Sequence, residues 1–152
     1  MTCSYEQTLA HIRDTVPGRS PEEAVQVAMQ AIQDRHPRYQ WVGVYVLRGD
    51  VLELGPFVGK PTDHVRIPVG RGVCGTAVSE RTNQVIQDVR AIENYLACSD
   101  TVRSEIVVLL WHEGQIVGQI DSDCDDPGAY SLEDETFLRG VAEVLAPLVA
   151  QL

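Results

Sequence analysis

The chain has 152 residues, a formal charge of −10 and an apolar share of 44%. Its length fits one domain with a sizeable core, and no apolar run approaches the roughly 20 residues that cross a bilayer. The acidic balance argues against nucleic acid or an anionic membrane as partner; its plainest meaning is solubility. The opening MTCSYEQTLAHIRD has neither the basic stretch nor the continuous apolar run of a signal peptide, so cytoplasmic residence is the expectation.

Two helices are predicted first, together spanning residues 4–36. In SYEQTLAHIRDTV, Ser4 and Gln7 have the spacing of a capping box, and Pro17-Gly18 ends the helix. Ser20-Pro21-Glu22-Glu23 then supplies an N-cap, a proline at the first helical position and a glutamate at the third. Val25, Ala28, Met29 and Ile32 recur at helical spacing, and His36-Pro37 stops the run.

Residues 40–124 read as the sheet core. QWVGVYVLRGDVLELGPF gives two strands about the turn Arg48-Gly49-Asp50, and HVRIPVG gives a third. GVCGTAVSER is a short helix that leads into the strand NQVIQD. Residues 91–103 form a polar loop, and SEIVVLLW and QIVGQIDSDC flank the hairpin turn HEG. Ser131 caps a terminal helix over 131–151, with Leu138, Val141, Ala142, Leu145 and Leu148 on one face. The order predicts one α+β domain over residues 1–152, a mostly antiparallel sheet with helices packed on it.

Four cysteines occur, Cys3, Cys74, Cys98 and Cys124, with no CxxC pair and no Cys/His spacing of a zinc site. A reducing cytoplasm disfavours a permanent disulfide framework. Cys74 lies among Gly70, Gly72 and Gly75 beside Arg71. A helix start and a neighbouring cation both favour thiolate there, although a small buried side chain would satisfy the same pattern. Cys98 sits in the polar stretch ENYLACSDTVRSE, where a core role is less natural and Arg103 could approach it. Cys3 is close to a terminus and Cys124 follows two acids, so neither is a strong catalytic candidate.

Asp121 and Asp123 are two apart at the end of a strand and so share a face, and the hairpin brings Glu105 alongside. Three acids about a pocket could bind an amine, or one could hold a proton at neutral pH; an acidic hairpin mouth open to solvent is the bland alternative. Trp41 and Tyr45 share a strand face, either as core or as the wall of an aromatic pocket. The four histidines form no triad or metal pattern.

Taken in order, WVGVYV, LGPFVGK, GRGVCGTAV, VIQDV, ACSDTVRSEIVV, QIVGQIDSDC and SLEDETFLRGVAEVL resemble the free methionine-(R)-sulfoxide reductases, single GAF domains. The resemblance covers roughly residues 20–150. It implies that Cys98 is the attacking thiol and that Cys74 is a resolving thiol forming a disulfide with it. It also implies that Glu105, Asp121 and Asp123 bind the substrate amine and assist proton transfer, and that Trp41 and Tyr45 hold the methyl end. A thioredoxin-type dithiol would recycle the disulfide, a homodimer paired through helices is the expected assembly, and no metal or organic cofactor is called for.

The chain departs from the pattern near these positions. His64 stands where many members have a third cysteine, Tyr95 and Ser99 replace the usual histidine and aspartate about Cys98, and Leu109 replaces a proline. Local electrostatics favour Cys74 as thiolate, whereas the resemblance assigns the attack to Cys98. Two functions of other classes are the alternatives: a GAF sensor module that binds a small molecule without turning it over, and a redox switch whose disulfide alters partner binding.

Overall fold

The computed structural model describes residues 3–92 and 101–152, so Tyr95, Cys98 and Ser99 lie outside the described residues. Helices α1 (Tyr5–Thr15) and α2 (Pro21–Arg35) precede strands β1 (Trp41–Arg48), β2 (Val51–Val58) and β3 (Arg66–Pro68). Helix α3 (Gly72–Glu80), strand β4 (Gln84–Ile86) and a 3-10 turn at Val89–Ala91 follow, and then β5 (Ser104–His112), β6 (Gln115–Cys124) and helix α4 (Leu132–Val149). The strands form one six-stranded sheet in the order β3-β2-β1-β6-β5-β4, and its pairings are antiparallel. The α+β expectation therefore holds. Among the described residues, no helix is long and apolar enough to cross a membrane.

Local chemistry accounts for most of the boundaries. Ser4 and Gln7 close the reciprocal capping box of α1. The Ser20 side chain accepts from Glu23 N at the start of α2. The β5–β6 turn uses Glu113 and Gly114, both with positive φ, a pair of angles that matches the right-handed twist of the flanking strands. In β2 the pairing with β1 skips a residue, from Gly43 opposite Phe57 to Tyr45 opposite Leu54. The extra residue falls beside Pro56, which has no amide hydrogen to give the ladder.

Two readings shift in detail. The strand expected over 64–70 shortens to Arg66–Pro68, with Gly70 at φ +92 already turning toward α3. On α4 the buried stripe runs through Leu138, Val141, Ala142 and Leu145 to Val149, and Leu148 is only partly buried. The 3.6-residue period selects the position four beyond Leu145 rather than three.

The sheet separates two cores. On one face α1, α2 and α4 cover Val42, Val44, Ile106, Val108, Leu110 and Ile120. On the other, α3 lays Val73, Cys74, Ala77 and Val78 against Tyr45, Val107 and Leu109. The alternation of β5 and β6 sends Glu105, Asp121 and Asp123 to this second face.

Candidate active site

The α3 face contains a small cavity of about 10 Å³, lined by residues that include Tyr45, His64, Arg71, Cys74, Glu105 and Asp121. Its floor is the β5–β6 hairpin. Glu105 is directly opposite Asp123, and Asp121 is opposite Val107, so the three carboxyls occupy neighbouring positions on one side of the sheet. All three are withdrawn from water, Glu105 at 4% exposure, Asp121 at 1% and Asp123 at 2%. A solvated hairpin mouth is thereby excluded.

Glycines bring Cys74 to these acids. Gly72 starts α3 at φ +66. Gly75 approaches β3 so closely that a Cβ there would stand 2.5 Å from the Pro68 carbonyl oxygen, and its own carbonyl accepts from Gly70 N at 2.8 Å. The first turn of α3 therefore lies against the sheet, and the Cys74 thiol donates to Glu105 Oε2 at 3.7 Å. Suitable ligand atoms of Cys74, Glu105 and Asp121 all lie within 4.8 Å of one another. The helix start does favour negative charge on sulfur, but the adjoining carboxyls oppose it.

Asp121 carries the clearest electrostatic mark. Burial pushes its carboxyl above the ordinary carboxylate range, and hydrogen bonds with Glu105 and Cys74 only partly counter the effect. Its Oδ1 atom has no hydrogen-bond partner among the described residues. A buried oxygen left in that state costs on the order of 1–3 kcal/mol, a cost that a ligand donor would remove.

The aromatic candidates divide. Tyr45 lines the cavity and its hydroxyl donates to the His64 carbonyl at 2.9 Å. Trp41 shares that sheet face, 6.3 Å from the Tyr45 ring, but stacks on Phe57 and gives its indole hydrogen to the Lys60 carbonyl. Gly43 between them makes the arrangement possible, since a Cβ there would meet the Trp41 ring at 2.8 Å and Phe57 Cβ at 2.6 Å. Trp41 is not among the residues that line the cavity.

Arg103 is engaged by Asp88 through two hydrogen bonds, the shorter 2.7 Å. The hydrogen bond from Arg103 holds the Asp88 carboxyl down at about 2. Cys124 is buried on the opposite face, and that burial pushes its thiol up.

Two contributors were not singled out as site residues from the sequence. Gln119, fully buried, donates from Nε2 to the Cys74 carbonyl at 3.0 Å. Its spacing of two from Asp121 was the available signal, because alternation places both on one face. His64 stood out only as a substitution, and it lines the cavity.

Comparison with known proteins places this geometry. A family model described as GAF domain matches residues 18–150. Over 119 residues the chain is 43% identical to the free methionine-R-sulfoxide reductase of Escherichia coli, covering 78% of this chain and 72% of the relative. The type II free methionine-R-sulfoxide reductase of Thermoplasma acidophilum superposes with a TM-score of 0.84 at 41% identity, over 86% of this chain and 93% of that one. The Neisseria meningitidis free methionine-R-sulfoxide reductase, solved in complex with its substrate, gives a TM-score of 0.92 at 28% identity, over 99% and 96% of the two chains. The chain belongs to the GAF-domain family and, within it, to the free methionine-R-sulfoxide reductases, a family of oxidoreductases.

Proposed function

We propose that this protein reduces free methionine-(R)-sulfoxide to methionine on the α3 face of its sheet. The observation that carries the reading is the buried cluster of Cys74, Glu105 and Asp121 at the cavity. Such a cluster combines a thiol, a proton reservoir and negative charge suited to an amino acid's ammonium group. The kinship with reductases, one of them solved with its substrate, supports the same assignment.

In the first step the Cys98 thiolate attacks the sulfoxide sulfur, and a proton is delivered to the oxygen. Glu105 and Asp121, hydrogen-bonded to each other, hold one proton between them, and Glu105 passes it to the oxygen. Methionine leaves, and Cys98 becomes a sulfenic acid. Cys74 then attacks the Cys98 sulfur; its thiol proton passes to Glu105, and the hydroxyl leaves as water when protonated. The product is a Cys74–Cys98 disulfide, which a thioredoxin-type dithiol reduces by exchange. Arrangement of Cys74 beside a carboxyl suits a thiol that reacts second, since the Glu105 carboxylate is at hand to take its proton when it attacks the oxidised Cys98.

Asp121 and Asp123 hold the substrate ammonium in this reading, and Tyr45 borders the methyl end, with Trp41 supporting it from behind. A homodimer formed through helices belongs to the same proposal and is read from the mass in solution. The chemistry is tested by NADPH oxidation with thioredoxin, thioredoxin reductase and each sulfoxide epimer. Turnover of the R epimer, abolished by Cys98→Ser, is expected. Absence of turnover with either epimer contradicts the proposal and favours a binding module.

A further inference from the structure

The thiol–carboxylate cluster has the dimensions of a metal site. In a tetrahedral zinc site, with Zn–S of about 2.3 Å and Zn–O of about 2.0 Å, a sulfur and an oxygen ligand stand about 3.5 Å apart and two oxygens about 3.3 Å apart. Cys74 Sγ and Glu105 Oε2 are already 3.7 Å apart, and adding Asp121 keeps every ligand atom within 4.8 Å of the others. Small side-chain rotations close the remaining distance. Independently, Asp121 Oδ1 is a buried oxygen that lacks a hydrogen-bond partner among the described residues, in a side chain that lines the cavity.

Charge favours the same occupant. Glu105, Asp121 and Asp123 are removed from water on one sheet face, where a divalent cation gains far more than at a solvated acidic patch. Arg71 also lines the cavity, but it is exposed, and water screens its charge from the buried acids.

We propose that the reduced protein binds one thiophilic divalent cation on Cys74 Sγ, a Glu105 carboxylate oxygen and an Asp121 carboxylate oxygen, and that the bound cation blocks the sulfoxide. The blocking half rests on the reductase reading; the binding half does not. Coordination requires Cys74 as thiolate and both carboxyls ionised, so binding releases the thiol proton and the proton shared by Glu105 and Asp121. Affinity therefore rises with pH. Zinc occupies the place of the substrate ammonium and ties up the resolving thiol, which makes it an inhibitor and not a cofactor.

The test is a zinc titration of the protein kept reduced with a phosphine, against a chromophoric chelator and without any sulfoxide. Expected is one equivalent bound, with affinity little changed in Cys98→Ser and weakened about 100-fold in Cys74→Ser and at least about 10-fold in Asp121→Asn. Circular dichroism checks that the variants are folded. Cobalt(II) added to the unsubstituted protein supplies a readout that needs no variant, a thiolate-to-metal charge-transfer band in the near ultraviolet. Stoichiometric zinc binding that survives Cys74→Ser in a folded protein overturns the proposal, as does absence of the cobalt band. The metal-free enzyme is assayed separately for sulfoxide reduction, so failure of the reductase reading and failure of the metal site are seen in different experiments.

Discussion

On the helical face of the sheet, Asp134 is fully buried and surrounded by donors. Tyr39 donates to it at 2.8 Å, the Tyr5 hydroxyl donates as well, and Ser131 donates from backbone and side chain at 2.9 and 3.2 Å. On the α3 face, Asp121 is equally withdrawn, yet its Oδ1 lacks a partner among the described residues and burial raises its carboxyl. A buried carboxyl whose lone pairs are all used holds elements together, here α1, the segment between α2 and β1, and α4. One left incompletely satisfied costs stability and is ready for a ligand. The same residue type is fully satisfied on one side of the sheet and left open to a ligand on the other.

Exchange of each carboxyl should separate the two roles. Asp121→Asn is expected to lower kcat/KM for the R sulfoxide by about 100-fold, a typical loss for a proton-handling group, with the melting temperature held or raised. Steady-state kinetics and calorimetry on the same preparation check both halves. Asp134→Ala should show the reverse pattern. It strands the buried Tyr39 hydroxyl and removes half of the Ser131 capping box, for about 3 kcal/mol and a fall of roughly 8 °C in Tm. Activity per folded molecule should stay within about twofold, since surface and scaffold changes far from the reacting groups leave transition-state contacts intact. Equal activity loss in both variants would erase the distinction.

A smaller effect concerns pH. The Asp121 carboxyl lies above its unfolded value of 3.8, so its contribution to stability is fully present below that pH and is lost as pH rises through the folded value. The stability of Asp121→Asn relative to the unsubstituted protein should therefore grow as pH rises from about 4 toward neutrality, measured by urea unfolding. Parallel curves would contradict the burial argument. The smallest effect belongs to His36, whose imidazole is held down chiefly by burial and by Arg35 and Arg38, with Asp134 opposing. Its sign is opposite. Stability is fully present above the unfolded value of 6.5 and declines as pH falls toward the folded one, a decline that His36→Gln should reduce.

How far these roles could be read from sequence followed the range of the forces involved. Ser4, Ser131 and the Glu113-Gly114 turn act within a few residues, and the spacing alone announced them. Alternation in QIDSD assigned Asp121 and Asp123 to one face, and the β5–β6 hairpin then brought Glu105 opposite Asp123. The approach of Cys74 to Glu105 depends on α3 folding back onto the sheet through Gly75, a contact between segments 31 residues apart that no local pattern encodes. Asp134 was invisible for a related reason. On α4 it occupied a helix start, where an acid is expected in solvent, and only the arrival of Tyr5 and Tyr39 buries it. Gln119 was legible by alternation but was overlooked, because amides carry no charge to draw notice.

The most direct test of the reductase account uses the reduced protein without any recycling system. One equivalent of methionine-(R)-sulfoxide is added, methionine is quantified, and the protein is digested without reduction for peptide mapping. Up to one methionine per chain is expected, none from the S epimer, with a linked pair of peptides joining Cys74 to Cys98. Methionine formed with Cys98 still free, or no methionine at all from a fully reduced and folded protein, would contradict it.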